Sequence, residues 1–308
     1  MNGNGSLWRS HDSKQSEDEM TRRLSKAAMR HAVAEWLLPP AVKRSLARPG
    51  RRSRYRVVSP PEERAALAAN VRLQGAYAGR RCFVLGNGPS LAAVDIDSLG
   101  GEITVVMNAF NKHPAIRLWQ PVIHCMAEPA SAYSKPYSLR LLEQCLLGYT
   151  TTTHVFPIEM KAVLESTGLL PSERVVYVAQ DGRTAAMFDH IDLTGPVPSA
   201  HDTSILAVSV AIAMGCNPIV LLGLDYNWLS HRSVNTHFYD DAAVPWPAEA
   251  LGETPYLETM RSSVQCWEAH AALRRIAARN GQTILNATEG SFLDVYPTTT
   301  LRDVLARR

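Results

Sequence analysis

The chain has 308 residues, 46% hydrophobic and 20% charged, which supplies one large or two modest cores and excludes a fibrous, collagenous or wholly disordered protein. Its five cysteines, Cys82, Cys125, Cys145, Cys216 and Cys266, are odd in number and widely spaced, with no Cys-x-x-Cys pair, so neither a disulfide framework nor a zinc site is expected; they read as buried thiols in a reducing compartment. The net charge of +3 conceals a split, since residues 1–56 hold 13 Lys/Arg against 5 Asp/Glu and the remainder 19 against 24.

In chain order, residues 1–56 read as a basic N-terminal arm, partly disordered, with one helix around 19–38 and an acid-free basic run over 43–56. Such an arm either stays a solvated leader or touches nucleic acid, anionic lipid or acidic glycan. Residues 1–19 are polar and lack the apolar stretch of a secretory leader, so the expectation is a cytoplasmic protein whose arm can meet the inner face of the membrane. Pro60-Pro61-Glu62-Glu63 opens a helix through Leu73, with proline and acids in the first turn, where the helix dipole favours them.

The pattern changes at Arg81. An apolar run, Cys82-Phe83-Val84-Leu85, meets the turn Gly86-Asn87-Gly88-Pro89-Ser90, and a helical segment follows over 91–99. Strands are expected over 103–107, ending at Asn108, and over 121–126, ending at Glu128. A helix over 139–147 precedes strands over 154–157 and 175–178. Residues 203–224 carry no charge and are long enough to span a bilayer, but Gly215-Cys216-Asn217-Pro218 breaks them into a buried helix, 204–214, and a buried strand, 219–222. After Gly223-Leu224-Asp225-Tyr226 and a polar loop come a long helix over 258–279, capped by Asn280-Gly281, and a last strand over 283–286.

Short apolar strands alternating with helices predict an α/β domain over residues 57–308, Rossmann-like, with a mostly parallel sheet covered on both faces and a lid-like loop. Ligands of such sheets sit beyond the carboxyl ends of the strands. The residues placed there are Gly86 to Ser90, Asn108, Glu128, Asp225, Tyr226 and the run Asn286-Ala287-Thr288.

The glycine-containing turn is the sharpest of these signals. Two glycines let backbone N–H groups approach a ligand, Pro89 suits a first helical position, and the helix N-terminus can receive a phosphate. The turn lacks the Gly-Lys-Ser/Thr of a P-loop and the third glycine of a dinucleotide fingerprint, and an ordinary strand-to-helix turn reads the same. Asn108 offers both a donor and an acceptor, and Glu128 can hold a ribose diol or act as a base; alternatively each closes a turn. Thr203-Ser204 either cap the buried helix or point into the shared crevice, and Asp202 just upstream can also cap. Asp225, at the end of a fully apolar strand, needs a ligand, a cation or backbone donors. Tyr226 and Trp228 provide flat faces for a base or sugar, or pack in the core.

The following loop carries His231, His237, Tyr239, Asp240 and Asp241. His237 is the candidate general base. The acids behind it have no recognised metal spacing, so no metal is expected, and a solvated lid without chemistry is the alternative. His270, inside the long helix, reads as structural. No Gly-x-Ser-x-Gly elbow points to a serine hydrolase, and basic residues without aromatic interleaving point away from nucleic acid as a partner of the core.

The ordered series Val84-Leu85-Gly86-Asn87-Gly88-Pro89-Ser90-Leu91, Asn108, Thr203-Ser204, Ala211-Ile212-Ala213-Met214-Gly215 and Leu222-Gly223-Leu224-Asp225-Tyr226 resembles bacterial lipooligosaccharide sialyltransferases. It also resembles the wider 6-hydroxymethylpterin diphosphokinase MptE-like family, which includes flagellar motility accessory factors. Thr236-His237-Phe238-Tyr239, and Asn286-Ala287-Thr288-Glu289-Gly290 through Val295-Tyr296-Pro297, resemble that wider family specifically; the resemblance covers about residues 57–305. It implies a nucleotide-activated sugar as donor, CMP-linked and sialic-acid-like, a glycan or lipid-linked acceptor, a homo-oligomer and no cofactor. Asn87 and Ser90 would lie near the phosphate, Asn108 near the donor and Thr203-Ser204 near the base or carboxylate, while the Tyr226 hydroxyl would neutralise the leaving phosphate.

The chain departs from the sialyltransferases at three places. Glu128 stands where they carry asparagine, Ile205 where they carry glycine, and residues 255–264 lack their catalytic histidine. His237 is the substitute. Three readings follow: a glycosyltransferase of surface glycan synthesis with His237 or Glu128 as base; a diphosphokinase transferring pyrophosphate from ATP, with Mg²⁺ on Asp225 and Asp240; or a non-catalytic nucleotide-sugar-binding accessory protein.

Overall fold

The computed structural model describes residues 60–134, 136–180, 182–230, 237–239 and 256–306. The basic arm and the helix expected within it over 19–38, together with His231, Thr236, Asp240 and Asp241, lie outside the described residues.

Eight strands, β1 (Cys82–Leu85), β2 (Ile103–Met107), β3 (Ile123–Cys125), β4 (Thr153–Pro157), β5 (Val175–Gln180), β6 (Pro196–Val197), β7 (Ile219–Leu222) and β8 (Ile284–Asn286), form one parallel sheet in the order β6-β5-β4-β3-β2-β1-β7-β8. Helices flank it: α1 (Pro61–Ala68), α2 (Pro136–Leu146), α3 (Lys161–Thr167), α4 (Thr203–Ala213), α5 (Tyr256–Arg279) and α6 (Leu301–Ala306). The fold is Rossmann-like α/β. From β1 to β6 the chain winds outward in one direction, then returns to lay β7 on the other side of β1. That reversal is the topological switch point, where an open α/β sheet leaves a crevice.

The strands are apolar throughout because both sheet faces are covered. In β1, Cys82 and Val84 pack into the core on one side, and Phe83 and Leu85 into the core on the other; all four are fully buried. α4 explains the uncharged run. Every one of its residues is buried, since it packs against β1, β2, β3 and β7 on one side and α5 on the other. Its hydroxyl at Ser209 is satisfied within the helix by Ile205 O at 2.7 Å. Lack of charge here therefore reflects protein on every side, and among the described residues no helix is long and apolar enough to cross a membrane.

Several elements differ from expectation. The helix expected over 91–99 is two short 3₁₀ turns, Pro89–Ala93 and Asp97–Leu99. Asp95 accepts the Asp97 N–H at 3.1 Å, a local side-chain turn that competes with helix continuation. α3, α6 and the two-residue β6 are too short to leave a periodic signal, and none was expected. The helix starting at Pro61 ends at Ala68 and passes into a 3₁₀ turn, Ala69–Leu73. That turn buries Asn70, whose Nδ2 donates to Tyr177 O at 2.6 Å and Leu193 O at 2.8 Å, tying the N-terminal segment to β5.

Replacing Asn70 by alanine strands two carbonyl acceptors. A loss of about 1–3 kcal/mol is expected from urea unfolding; an unchanged midpoint would show that this attachment contributes nothing.

Candidate functional site

β1 and β7 lie side by side in register, and the turns that leave them stay in contact. Gly86 N–H donates to Leu222 O and Gly88 N–H to Gly223 O, each at 2.8 Å. A Cβ on Gly86 would stand 2.3 Å from Gly223 O, and one on Gly88 1.8 Å from Asp225 Oδ2. Gly88 has an ordinary φ of −62°. Glycine is thus required there by the closeness of the neighbouring turn, and its torsional freedom is not used.

Asp225 supplies the decisive contact across the switch point. Its Oδ1 accepts the Ser90 N–H at 3.1 Å and its Oδ2 the Ser90 hydroxyl at 2.7 Å. The donors sought by a buried carboxylate are therefore those of the glycine-containing turn. This narrows the donors that the turn was expected to offer a phosphate. The amides of Gly86, Gly88 and Ser90 are engaged by protein acceptors, Pro89 has none, and the following element is a five-residue 3₁₀ turn in place of a helix with open N–H groups, which leaves the Asn87 N–H as the one amide of the turn without an acceptor among the described residues.

The crevice contains a cavity of about 280 Å³. Gly86, Asn87, Gly88, Asn108, Thr203, Asp225, Tyr226 and His237 line it, with Asp202, Asn227 and Trp228 beside them. Pro89, Ser90, Ser204 and Glu128 are not on its wall. Ser90 is spent on Asp225. Ser204 is fully buried. Glu128 Oε2 is buried without a partner among the described residues, and burial, reinforced by the charge of Asp202, raises its carboxyl above the usual range.

Two asparagines give the cavity its character. Asn87 Nδ2 donates to Met107 O at 3.0 Å, which fixes the orientation of the amide and leaves Oδ1 buried and unpartnered among the described residues. Asn108 adopts the left-handed conformation, φ +48°, and its Oδ1 is likewise buried and unpartnered. Buried acceptors are satisfied as a rule, so two orphans on one cavity wall call for an explanation.

His237 arrives from a different element. The neighbouring Phe238 N–H donates to Asn87 O at 2.8 Å, while its ring meets His113 and Phe110 edge-on, with centroids 5.2 and 6.4 Å away. The glycine-containing turn itself therefore holds the histidine at the cavity. Asp202, rather than Thr203 or Ser204, caps α4: it is extended (φ −149°, ψ 140°) and accepts the Ser204 N–H at 2.6 Å. Burial raises its carboxyl above the usual range, against the pull of the Ser204 hydrogen bonds and of His237.

Behind the wall lies a hydroxyl–imidazole cluster. Tyr226, also left-handed at φ +55°, places its hydroxyl 2.8 Å from Ser204 Oγ and 2.7 Å from His270 Nε2; Ser204 Oγ is 3.0 Å from the same nitrogen. His270 Nδ1 is 2.9 Å from the Tyr296 hydroxyl, which itself donates to His270 O at 3.1 Å. Tyr296 must therefore accept from Nδ1–H, leaving Nε2 bare to receive a proton from Tyr226 or Ser204. The Tyr226 hydroxyl, expected near a leaving phosphate, is here engaged by Ser204 and His270. Tyr226 is a lining residue of the cavity and is only 2% exposed. His270 is structural in the sense expected, and it holds a cavity residue in place. The signal in the sequence was a histidine on the same α5 face as Cys266, Leu273 and Ile276.

No protein-family model matches the chain, and no curated protein sequence matches it. Among solved structures, the MAf glycosyltransferase from Magnetospirillum magneticum AMB-1 is similar at 16% identity and a TM-score of 0.42, over 77% of this chain and 38% of that one. The chain thus spans well under half of that protein's length, and the likeness carries no inference about activity.

Two outcomes are expected from this geometry. Gly88→Ala should destabilise the protein more when Asp225 is present than in an Asp225→Ala background, because the added Cβ meets the carboxylate first; strict additivity of the two unfolding free energies would contradict the contact. The second concerns acid. Burial lowers His270 to about 3, His124 to about 4 and His154 to about 2, from 6.5. The unfolded chain takes up these protons as pH falls below 6.5 and the folded chain does not, so stability drops across that window. Asp202 and Glu128, whose carboxyls are raised, act in the opposite sense. His270→Gln should therefore show a smaller fall in urea midpoint between about pH 7 and pH 5 than wild type; an equal fall would mean that His270 charges within the fold.

Proposed function

We propose that the protein is a glycosyltransferase that binds a nucleotide-activated sugar in the cavity at the switch point. The observation that carries this reading is the pair of orphaned acceptors, Asn87 Oδ1 and Asn108 Oδ1, on the wall of a cavity at the β1–β7 crevice. Carbonyl oxygens accept only, and the carboxylates of Asp202 and Asp225 on the same wall are acceptors too. A complementary ligand brings O–H and N–H donors, as a sugar, a ribose diol or the amino edge of a base does. The rings of Tyr226 and Trp228 add apolar faces of the kind that pack against a sugar or base.

In this reading the turn Gly86-Asn87-Gly88 positions the Asn87 amide, and Asp225 holds the turn by binding Ser90. His237 stands at the cavity as the base that takes the proton from the acceptor hydroxyl as that oxygen attacks the anomeric carbon and the nucleotide leaves. The resemblance of the residue series to lipooligosaccharide sialyltransferases makes a CMP-linked, sialic-acid-like sugar the first donor to test. Surface glycan synthesis on a glycan or lipid-linked acceptor, at the inner face of the membrane and in a homo-oligomer, belongs to the same proposal. So does a peripheral membrane contact through the basic arm.

Thermal-shift measurements with CMP-, UDP- and GDP-linked sugars, ATP, a pterin and inorganic phosphate test the reading. One class of nucleotide sugar should raise the melting temperature, and Asn87→Ala should weaken its binding about tenfold or more, the equivalent of one hydrogen bond at about 1.4 kcal/mol. His237→Ala should keep that binding and lose transfer. Stabilisation by inorganic phosphate alone, indifferent to Asn87→Ala, would sink the proposal.

A further inference from the structure

Beneath the cavity two histidines occupy paired positions on neighbouring strands, His124 on β3 and His154 on β4. Both are completely buried. Their Nδ1 atoms are 3.0 Å apart, and His124 Nε2 lies 2.7 Å from the carbonyl oxygen of Asn108. The chemistry of that carbonyl fixes every proton in the chain. A carbonyl only accepts, so His124 carries its hydrogen on Nε2 and is bare at Nδ1. His154 must then donate from Nδ1, which leaves its own Nε2 bare, and that atom is the one without a partner among the described residues. An unpaired lone pair is tolerated in a core more readily than an unpaired N–H. Tyr149 completes the packing, stacked on His124 at 4.8 Å and edge-on to His154 at 5.3 Å.

The chain ends on a residue that needs holding. Asn108 is one of two non-glycine residues with positive φ among those described, and the other, Tyr226, is also on the cavity wall. Asparagine enters this region more readily than other side chains, so the conformation is available to Asn108 and is selected by what its backbone meets. The Asn108 carbonyl is gripped from below by an imidazole that cannot turn away without breaking its contact with His154.

We propose that His154 and His124 form a positioning chain that locks Asn108 in its left-handed conformation and thereby aims its side-chain amide at the bound ligand. The inference rests on the reading of the cavity as a nucleotide-sugar site, and it adds two residues that never touch the ligand. His124→Gln keeps a donor near the place of Nε2; His124→Phe keeps the ring and removes it. His124→Asn, too short to reach the carbonyl, replaces the phenylalanine variant if that one does not fold.

The test is a double-mutant cycle on binding of the nucleotide sugar that stabilises the wild type, by titration calorimetry. His124→Phe should weaken binding about tenfold, His124→Gln by less than about threefold, and His124→Phe should have no further effect once Asn108 is alanine. A loss of the same factor in the Asn108→Ala background, or a glutamine variant as weak as the phenylalanine one, overturns the proposal, since either marks a general lesion of the fold. If the wild type binds no nucleotide sugar, the functional reading fails separately. The positioning chain is then decided by the backbone ¹³C shifts of Asn108 and the ¹⁵N shifts of the two imidazoles. Departure of Asn108 from the left-handed region in His124→Phe, with a wild-type His124 protonated on Nε2, supports the chain; an unmoved Asn108 refutes it.

Discussion

The Asp225 carboxylate binds the amide and the hydroxyl of Ser90 at 3.1 and 2.7 Å, and so joins the chain leaving β7 to the chain leaving β1. Much of the crevice depends on that junction. Gly86 and Gly88 must lack side chains for the two turns to approach, and the approach brings Gly88 N–H to Gly223 O at 2.8 Å. Asn87, held between them, then reaches Met107 O, and its own carbonyl holds the Phe238 N–H that brings His237 to the cavity. One charge-assisted contact, worth about twice a neutral hydrogen bond, thus organises residues from four separate parts of the sequence.

The layer behind this front is polar in unusual places. His124, His154 and His270 are completely buried, and each is kept neutral by burial. A neutral imidazole offers one donor and one acceptor at fixed positions, so it transmits orientation between two groups that would otherwise both donate or both accept. His124 does this for the Asn108 carbonyl, and His270 for the hydroxyls of Tyr226 and Tyr296. Both chains end on a wall residue with positive φ. Placing the polar groups one shell inward keeps the wall rigid while leaving the amide oxygens of Asn87 and Asn108 unsatisfied.

How much of this was legible in the sequence differs by physical cause. The parallel sheet was, because strands such as Cys82–Leu85 and Ile219–Leu222 are apolar on both faces and a Pro-containing turn splits 203–224. The cavity wall was largely legible too, since ligand-facing residues of such a sheet follow its strand ends, and Asn87, Asn108, Asp225 and Tyr226 do. Their partners were not. Hydrogen bonds between positions 135 residues apart leave no local pattern, so Asp225 was read as needing a ligand, a cation or backbone donors, with nothing to single out Ser90 as the residue that supplies them. His124 and His154 went unremarked because their pairing follows from strand register, which sequence periodicity does not report.

The occupied turn also constrains where charge on a ligand can lie. A helix N-terminus or amide nest attracts one anion, and here the protein supplies it. A phosphate brought against the same turn would meet Asp225, with Asp202 on the same wall. Two like charges about 4 Å apart repel by about 4 kcal/mol at an effective dielectric of 20, more than a single neutral hydrogen bond returns. In the proposed reading, the uncharged, donor-rich part of the ligand would therefore lie against the asparagines.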